Sequence, residues 1–221
     1  MVIDKLKTRV NMLQPILHIL QTKRIILASG SVRRKDILQH INFPFEVKLS
    51  NFEENLNKSD FAHPYEYAIE NAKQKALAVA KMVAKDGKPA DLVIGADTVV
   101  FMDNKILEKP QNKANAVEIL SWLSGRTHTV YTGVALINQS KDSSDLNVTT
   151  FYDGTDVKMG NLTAEVIDAY VATGEPMDKA GGYGIQDLGA TLVEGIKGDY
   201  YTVEGLPVYK LCCYVVDLFK N

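Results

Sequence analysis

The chain has 221 residues, with 25 Lys and Arg against 27 Asp and Glu and a formal net charge of −2. Its composition, 46% hydrophobic and 24% charged, excludes a disordered chain, and the near-neutral charge argues against a general nucleic-acid or anionic-membrane surface. No stretch approaches the roughly 20 apolar residues that span a bilayer. The only cysteines are the neighbours Cys212 and Cys213, which form no disulfide framework, so we expect a cytoplasmic protein.

The N-terminal segment, residues 1–23, precedes the first predicted strand and contains a short apolar run from Met12 to Leu20. A proline and two polar residues interrupt this run, and no small-residue cleavage site follows it. We interpret residues 1–23 as a helical N-terminal extension. Basic residues before the run leave a weak organellar signal as the alternative.

The stretch "ILASGSVRR" predicts a strand, a tight turn and the start of a helix. Ser31 is placed to cap the helix, so Arg33 and Arg34 fall in its first turn. Cations are unfavourable there because the helix dipole is already positive at that end. A bound phosphate would resolve the conflict, since free amides and guanidinium groups both bind it. The alternative is a pair of solvated arginines.

The remaining elements alternate in type along the chain. Strands are predicted at 45–47, 91–102 (with an interruption), 105–107, 127–137, 148–158 and near 191–193. Helices are predicted from Pro64 to Gly87, over 114–123, after Thr163 to Val171, and over 207–219. This order predicts an α/β fold with a mixed sheet and flanking helices. No linker divides the chain, so two lobes would have to interleave.

Asp97 is a carboxylate inside the apolar run "VIGADTVV". Burying it without compensation would cost several kcal/mol, so it needs a metal, a cation or a proton. The nearby Gly95 indicates a bulge or a close approach of backbone. The simpler alternative is an exposed aspartate at a strand end.

Other charged residues are less specific individually. Glu53 and Glu54 form an acidic pair that suits a hard divalent cation or is simply solvated. Lys75 lies at the edge of the apolar stripe of the long helix, so it reaches either solvent or a neighbouring pocket. Lys109 follows the predicted hairpin at a turn.

The glycine-rich stretch "GEPMDKAGGYGIQ" combines several kinds of chemistry. Its glycines allow close backbone approach, and Asp178 and Lys179 are able to pair. Tyr183 and Gln186 offer a ring and an amide that suit a nucleobase edge. The stretch matches neither the Walker A pattern nor the dinucleotide fingerprint, and a flexible surface loop is the alternative. The four histidines and two cysteines show no zinc-ligand or catalytic spacing.

The motifs "LASGSVRR", "GADTVV", "EKP", "GRTHTVYTG", "GEPMDKAGGYGIQ" and "GLP" occur in order from Ile25 to the C-terminus. Together they resemble the Maf family of nucleoside triphosphate pyrophosphatases. The resemblance covers residues 24–221 and implies an ITPase-like fold with two lobes around a central cleft, and commonly a homodimer. It also implies release of pyrophosphate from a nucleoside triphosphate with a divalent cation, Mg²⁺ or Mn²⁺, and no nucleic-acid or membrane partner.

Carried onto the matching positions, the resemblance implies roles for ten residues. Asp97 would be the catalytic base, with Glu54 supporting the metal or the water and Lys75 assisting at the phosphates. Asp97 and Glu54 would also be the metal ligands. The implied substrate-binding residues are Ser29, Arg33, Arg34, Thr98, Lys109, Lys179 and Gln186. The combination of Arg33, Thr98 and Gln186 looks like the branch that acts on dTTP and UTP, in a house-cleaning role.

Two positions depart from the family pattern. Val32 replaces the usual proline at the first helical position, and Glu204 replaces an apolar residue before Gly-Leu-Pro. A nucleotide-binding regulator without turnover is the alternative function, although a pure sensor would not need a catalytic base. A nicotinamide-dependent dehydrogenase is excluded because no glycine fingerprint follows the first strand.

Overall fold

The computed structural model describes residues 13–139 and 145–220. The strands are β1 (Ile25–Leu27), β2 (Glu46–Val47), β3 (Leu92–Met102), β4 (Lys105–Leu107), β5 (Thr127–Gln139), β6 (Leu146–Met159) and β7 (Val193–Lys197). The helices are α1 (Leu17–Leu20), α2 (Val32–His40), α3 (Pro64–Lys85), α4 (Lys113–Leu123), α5 (Ala164–Ala172), α6 (Tyr200–Glu204) and α7 (Val208–Lys220). Within these ranges no helix combines the length and the apolar character needed to cross a membrane.

The seven strands form one mixed sheet, in the order β2-β1-β3-β5-β6-β7, with β4 also pairing with β3. β1 is parallel to β2 and β3, whereas the other pairs are antiparallel. The predicted mixed α/β sheet with flanking helices is therefore confirmed. The hairpin of β3 and β4 is also confirmed.

One edge of β3 is divided between two partners, and this division produces the cleft. β1 pairs with residues 92–94 of β3, and β4 pairs with residues 100–102 of the same edge. Residues 95–99 therefore lie between the two pairings, although β5 pairs continuously along the other edge from Val93 to Phe101. Asp97 and Thr98 fall in this gap.

Separate apolar clusters lie on the two sides of the gap. One joins β1, α2 and α7 through residues such as Leu27, Leu38 and Val215. The other joins the far end of β3 to α4 and α5, through Val100, Leu120 and Ile167 among others. These clusters are the cores of the two predicted lobes, and α3 packs over the sheet between them.

Alternation along β3 sends neighbouring residues to opposite faces of the sheet. Val93 and Val99 pack on the face covered by α3, while Ile94 and Val100 pack on the other face. Asp97 shares the α3 face by this alternation. Thr98 consequently belongs to the opposite face, although it is the next residue.

Several predicted boundaries need correction. The interruption expected in the 91–102 strand is absent, because β3 pairs with β5 without a break. The strand expected near 191–193 begins only at Val193, because residues 188–192 form a 3-10 turn. Ser31 occupies the N-cap position of α2, but its side chain makes no capping hydrogen bond. Of the predicted N-terminal extension, residues 1–12 lie outside the described ranges, and residues 14–20 form a 3-10 turn followed by α1.

Candidate active site

A cleft of about 710 Å³ opens at the gap in the edge of β3. The structure brings all ten of the predicted site residues to its lining: Ser29, Arg33, Arg34, Glu54, Lys75, Asp97, Thr98, Lys109, Lys179 and Gln186. They come from the turn after β1, the first turn of α2, the loop before α3, α3 itself, β3, the turn after β4 and the glycine-rich segment. Five of them are cations, so the cleft suits a highly charged anion.

Asp97 and Lys75 form a buried ion pair on the floor of the cleft. Lys75 Nζ lies 2.7 Å from Asp97 Oδ1, and the two side chains are only 11% and 13% exposed. The same ammonium group lies 3.3 Å from Oε2 of Glu54, whose side chain is about half exposed. Lys75 therefore reaches the pocket and not bulk solvent, and it stands between two carboxylates.

The charge state of Asp97 is set by opposing effects. Burial raises the pKa of the Asp97 carboxyl above its usual value, while the charges of Lys75 and Arg34 and the hydrogen bond from Lys75 act in the opposite direction. Burial has the larger effect, so the net direction is upward. A carboxylate with a raised pKa takes up a proton more readily than an exposed aspartate does.

Two glycines in the sheet allow α3 to approach closely enough for this ion pair to form. A Cβ atom on Gly95 would collide with the carbonyl oxygen of Ala72, and a Cβ on Gly133 would collide with the backbone at Ile69. Gly133 lies directly opposite Asp97 in the pairing of β3 with β5. The close approach expected at Gly95 is thus confirmed, while the alternative of a bulge is not.

Arg34 is buried and its guanidinium group is held by three neutral acceptors. It donates to Gly205 O at 2.8 Å, to Ser29 Oγ at 3.0 Å and to Thr98 Oγ1 at 3.0 Å. Burial lowers the pKa of Arg34, and the nearby charge of Asp97 opposes that shift. The group remains a cation, because a guanidinium is not deprotonated in proteins.

The hydroxyl of Thr98 continues this network across the sheet. Its oxygen lies 2.9 Å from Thr132 Oγ1, which itself donates to the carbonyl of Thr202 at 2.7 Å. Because Thr132 has a single hydroxyl proton, Thr98 must be the donor of the bond between the two hydroxyls. Arg34 is therefore oriented by a chain of hydrogen bonds with fixed direction.

Arg33 and Lys179 are linked by one carboxylate at the edge of the cleft. Asp178 lies 3.3 Å from Arg33 Nη1 and 2.8 Å from Lys179 Nζ. Lys179 is buried and also donates to the carbonyl of Glu175 at 3.0 Å. Burial raises the pKa of Asp178, but the contacts with Lys179 and Arg33 outweigh burial and hold this pKa below its usual value. The predicted local pair of Asp178 and Lys179 is confirmed.

Gln186 lies on the same side of the cleft as Lys179. Its Nε2 donates to Asp187 Oδ2 at 2.6 Å, while its Oε1 is buried and has no hydrogen-bond partner among the described residues. A buried carbonyl oxygen with no donor is unfavourable unless a ligand supplies one. Lys109, at the turn after β4, is exposed and also lines the cleft.

Comparison with known proteins identifies this arrangement. The profile of the family described as "Maf-like protein" matches residues 24–218. The chain belongs to the Maf family. The resemblance that the sequence motifs indicated is therefore confirmed over most of the chain.

Individual Maf relatives are similar over nearly the whole chain. A "dTTP/UTP pyrophosphatase" of Bacillus cytotoxicus is 48% identical over 189 residues, which are 86% of this chain and 92% of that protein. A protein of the same name from Bacillus mycoides is 47% identical over the same shares. A human protein, "Probable bifunctional dTTP/UTP pyrophosphatase/methyltransferase protein", is 50% identical over 208 residues. That match covers 93% of this chain but only 34%, about a third, of the human protein.

The carboxylates of this Maf cleft fit a divalent cation only in company with a ligand. Across residues 13–139 and 145–220 no group of three or more His, Cys, Asp or Glu side chains is arranged to hold a metal ion. Asp97 and Glu54 nevertheless converge on one point, the ammonium of Lys75. Mg²⁺ is commonly bound by one or two carboxylates together with substrate phosphates and water. The donor set fits that mode.

Several supporting residues were not predicted as part of the site. Thr132 and Thr202 orient Thr98, and their only sequence signal is a threonine in an alternating strand and another in a short helix. Glu204, noted from the sequence only as a departure from the family pattern, lines the cleft. Burial raises the pKa of Glu204, and Arg33 opposes this shift.

Proposed function

We propose that this Maf-family chain hydrolyses dTTP, UTP and related modified pyrimidine nucleotides to the monophosphate and pyrophosphate. The observation that carries the proposal is the buried Asp97–Lys75 pair on the floor of a cleft lined by four further cations. A triphosphate supplies the negative charge that these cations need, and a carboxylate among them is suited to activate water. The names of the relatives in the two Bacillus species agree with this activity.

The start of α2 would receive the phosphates. Gly30, Ser31 and Val32 line the cleft beside Arg33, and the first amides of a helix are free to donate to an anion. Arg33 would leave or share Asp178 to contact a phosphate, whereas Arg34 would act from behind Ser29 and Thr98. Phosphoryl transfer depends chiefly on such positioning and charge neutralisation.

Asp97 would accept the proton of the attacking water. Lys75 holds Oδ1, while Oδ2 accepts no hydrogen bond from the residues that the structure describes, so Oδ2 is available to the water. The water attacks the α-phosphorus in line with the leaving group. A new P–O bond forms to the water oxygen, and the bond between the α-phosphorus and the oxygen that bridges to the β-phosphate breaks. Pyrophosphate leaves with the electron pair, and Lys75 and the arginines neutralise its developing charge.

A divalent cation, Mg²⁺ or Mn²⁺, would be held by Asp97 and Glu54 together with the phosphates of the substrate. When bound, it would neutralise phosphate charge and favour departure of pyrophosphate. Lys75 contacts both carboxylates and would keep them convergent before the substrate arrives.

Gln186 would read the base. Its buried Oε1 is without a donor, and its Nε2 is shared with one exposed aspartate, so both atoms suit the donor and acceptor edge of uracil or thymine. A site whose polar groups are left unpaired by the wrong base discriminates strongly. Thr98 would contribute to base selection indirectly. It orients Arg34, and the position of Arg34 would determine how deeply the nucleotide enters the cleft.

The test is an assay of purified protein with dTTP, UTP, ATP, GTP and modified pyrimidine triphosphates, with Mg²⁺ or Mn²⁺, scored for pyrophosphate and orthophosphate. We expect pyrophosphate only, and dTTP and UTP well ahead of ATP and GTP. Orthophosphate as the product, or tight binding without turnover, would refute the proposal. The second outcome would favour a nucleotide-binding regulator.

A homodimer and a cytoplasmic location stay predictions. The first comes from the family resemblance. The second is supported by the cysteine content, since the neighbours Cys212 and Cys213 provide no disulfide framework, as suits a reducing compartment. Size-exclusion chromatography with light scattering and imaging of a tagged full chain would test them.

A further inference from the structure

The segment that carries Gln186, residues 184–189, contains no strand or α-helix and is held by one carboxylate. Oε1 of Glu175 accepts from Tyr170 Oη at 2.9 Å and from Gly189 N at 3.0 Å. Oε2 of the same carboxylate accepts from Leu188 N at 3.1 Å. These three bonds attach the segment after Gln186 to the end of α5.

The segment before Gln186 is attached to the same carboxylate through Tyr170. The backbone N–H of Gly184 donates to Tyr170 Oη at 3.3 Å, and this hydroxyl donates in turn to Glu175. The two flanks also touch, since a Cβ on Gly189 would lie 2.6 Å from Gly184 O. Gln186 therefore lies between two backbone segments that Glu175 holds in place: Gly184 on one side, through Tyr170, and Leu188 and Gly189 on the other.

Glu175 does not line the cleft. Its backbone carbonyl nevertheless accepts a hydrogen bond, at 3.0 Å, from Nζ of Lys179, which is one of the cations of the cleft. We propose that Glu175 is a positioning residue that sets the orientation of Gln186 and thereby the choice of base. This inference rests on the proposed function, in which Gln186 reads the base.

A carboxylate suits this task and an amide does not. Both oxygens of Glu175 accept, and hydrogen bonds to a charged acceptor are stronger than those between neutral groups. In Glu175→Gln an amide NH2 group, which cannot accept, replaces one carboxylate oxygen, so Leu188 N or Gly189 N loses its partner. The glycines of the segment give it little conformational preference of its own, so Gln186 would occupy several orientations. Asp97 and Lys75 lie on β3 and α3 and would keep their geometry.

The experiment is a double-mutant cycle on base selectivity, with wild type, Glu175→Gln, Gln186→Ala and the double variant. The readout is the ratio of kcat/KM for dTTP to that for ATP, with kcat for dTTP measured separately. We expect Glu175→Gln to lower the ratio about tenfold, as expected when a polar base contact is lost, with kcat for dTTP nearly unchanged. In the Gln186→Ala background it should lower the ratio little further.

Glu66→Gln is the matched control. Oε2 of Glu66 accepts from the backbone N–H groups of Ala62 and His63 at the start of α3. Glu66→Gln therefore removes the same kind of contact between a carboxylate and backbone N–H groups, but away from the glycine-rich segment. This variant should leave the ratio of kcat/KM for dTTP to that for ATP unchanged. If Glu175→Gln does not fold, Tyr170→Phe tests the same idea. It removes the hydroxyl that links Gly184 N to Glu175, and it leaves the bonds of Glu175 to Leu188 N and Gly189 N in place.

Three results would overturn the inference. An equal loss for dTTP and ATP in Glu175→Gln would show a merely structural role, and so would full additivity with Gln186→Ala. A Gln186→Ala variant with undiminished selectivity would also overturn it, because Glu175 would then have no base reader to position. A wild type that releases no pyrophosphate would instead refute the proposed function, and the inference with it.

Discussion

The two walls of the cleft are built in different ways. The first wall consists of Ser29, Arg34, Lys75, Asp97 and Thr98, which lie on or beside regular elements. The second wall is residues 174–189, which consist of turns and short 3-10 segments. The side chains of the first wall are placed by strand alternation and by the close packing of α3. In the second wall, hydrogen bonds from backbone N–H groups to Glu175 hold the chain, and contacts with other side chains place Asp178 and Gln186.

Under the proposed function, this difference separates the residues that act on the phosphates from the residue that selects the base. The first wall holds the carboxylate and lysine that would act on the phosphates, where small displacements reduce catalysis severely. The second wall holds Gln186, whose contribution would be the choice of substrate. Perturbing the first wall should therefore lower kcat for every nucleotide, and perturbing the second should change ratios between nucleotides.

The largest expected effect comes from removing the charge of Asp97. Asp97→Asn keeps the size of the side chain but cannot accept a proton from water. We expect kcat to fall ~10²–10⁴-fold for dTTP and UTP alike, the range typical of a general base. Turnover would be measured with isothermal calorimetry of triphosphate binding as the control for an intact site. Activity close to that of wild type would exclude Asp97 as the base.

Gly95→Ala tests whether the close approach of α3 builds the first wall. The new methyl group would collide with the carbonyl of Ala72 and push α3 from the sheet, so Lys75 would move from Asp97. We expect a loss of roughly 1–3 kcal/mol in the free energy of unfolding, typical of overpacking, and a reduced kcat for all substrates. Urea denaturation and steady-state kinetics would measure both effects.

The matched control for this prediction is Gly195→Ala on β7, where a Cβ would meet no atom of the described residues within 4 Å. It should leave both unfolding and turnover nearly unchanged. Equal effects of the two substitutions would contradict the account of α3 packing.

The sequence predicts the first wall of the cleft better than the second. A charged residue in an apolar run drew attention to Asp97, and two arginines at the start of a helix led to the prediction of an anion site, because regular periodicity carries this information. The environment of Lys75 remained open, because the apolar stripe of α3 does not show whether a residue at its edge faces solvent or a pocket. The Gly95–Ala72 contact depends on tertiary packing, and only the presence of a glycine hinted at it.

The second wall was much less predictable. Its glycines indicated an irregular segment, and the pairing of Asp178 with Lys179 followed from their adjacency. The contact of Asp178 with Arg33 joins residues 145 positions apart, and no local pattern indicates it. The same is true of the contacts made by Glu175. The start of β7 was misplaced because the turn before it has no periodicity.

His128 provides a pH-dependent test of the second wall's attachment to the sheet. Its Nε2 lies 2.7 Å from the hydroxyl of Tyr183, a cleft residue. Burial lowers the pKa of His128 to about 4, with Asp156 opposing the shift. The unfolded chain binds a proton near pH 6.5 and the folded chain does not, so stability is full above pH 6.5 and is lost as the pH falls toward 4.

We expect the free energy of unfolding to fall by roughly 2 kcal/mol between pH 7.5 and pH 5 from this group alone. Urea denaturation at both pH values would measure the change. His128→Gln should abolish this part of the difference, while His40→Gln, at an exposed position, should retain it. An unchanged pH dependence in His128→Gln would show that another group is responsible.

The smallest effect sharpens the description of the first wall at the start of α2. Val32 is the first residue of the helix and is 68% exposed, and Ser31 before it is extended, as proline requires. Val32→Pro should therefore raise the free energy of unfolding by roughly 0.4–1 kcal/mol. Thermal denaturation and turnover would be measured together. Higher stability with weaker triphosphate binding would show that the Val32 amide holds a phosphate, whereas lower stability would contradict the assignment of the helix start.

The most direct test of the account is the fate of solvent oxygen during turnover of dTTP in oxygen-18-labelled water. Because Asp97 would direct water at the α-phosphorus, the account predicts that the label appears in the thymidine monophosphate and that the pyrophosphate is unlabelled. Mass spectrometry of the two products distinguishes the outcomes. Label in the pyrophosphate would place the attack at the β-phosphorus and contradict the assigned reaction.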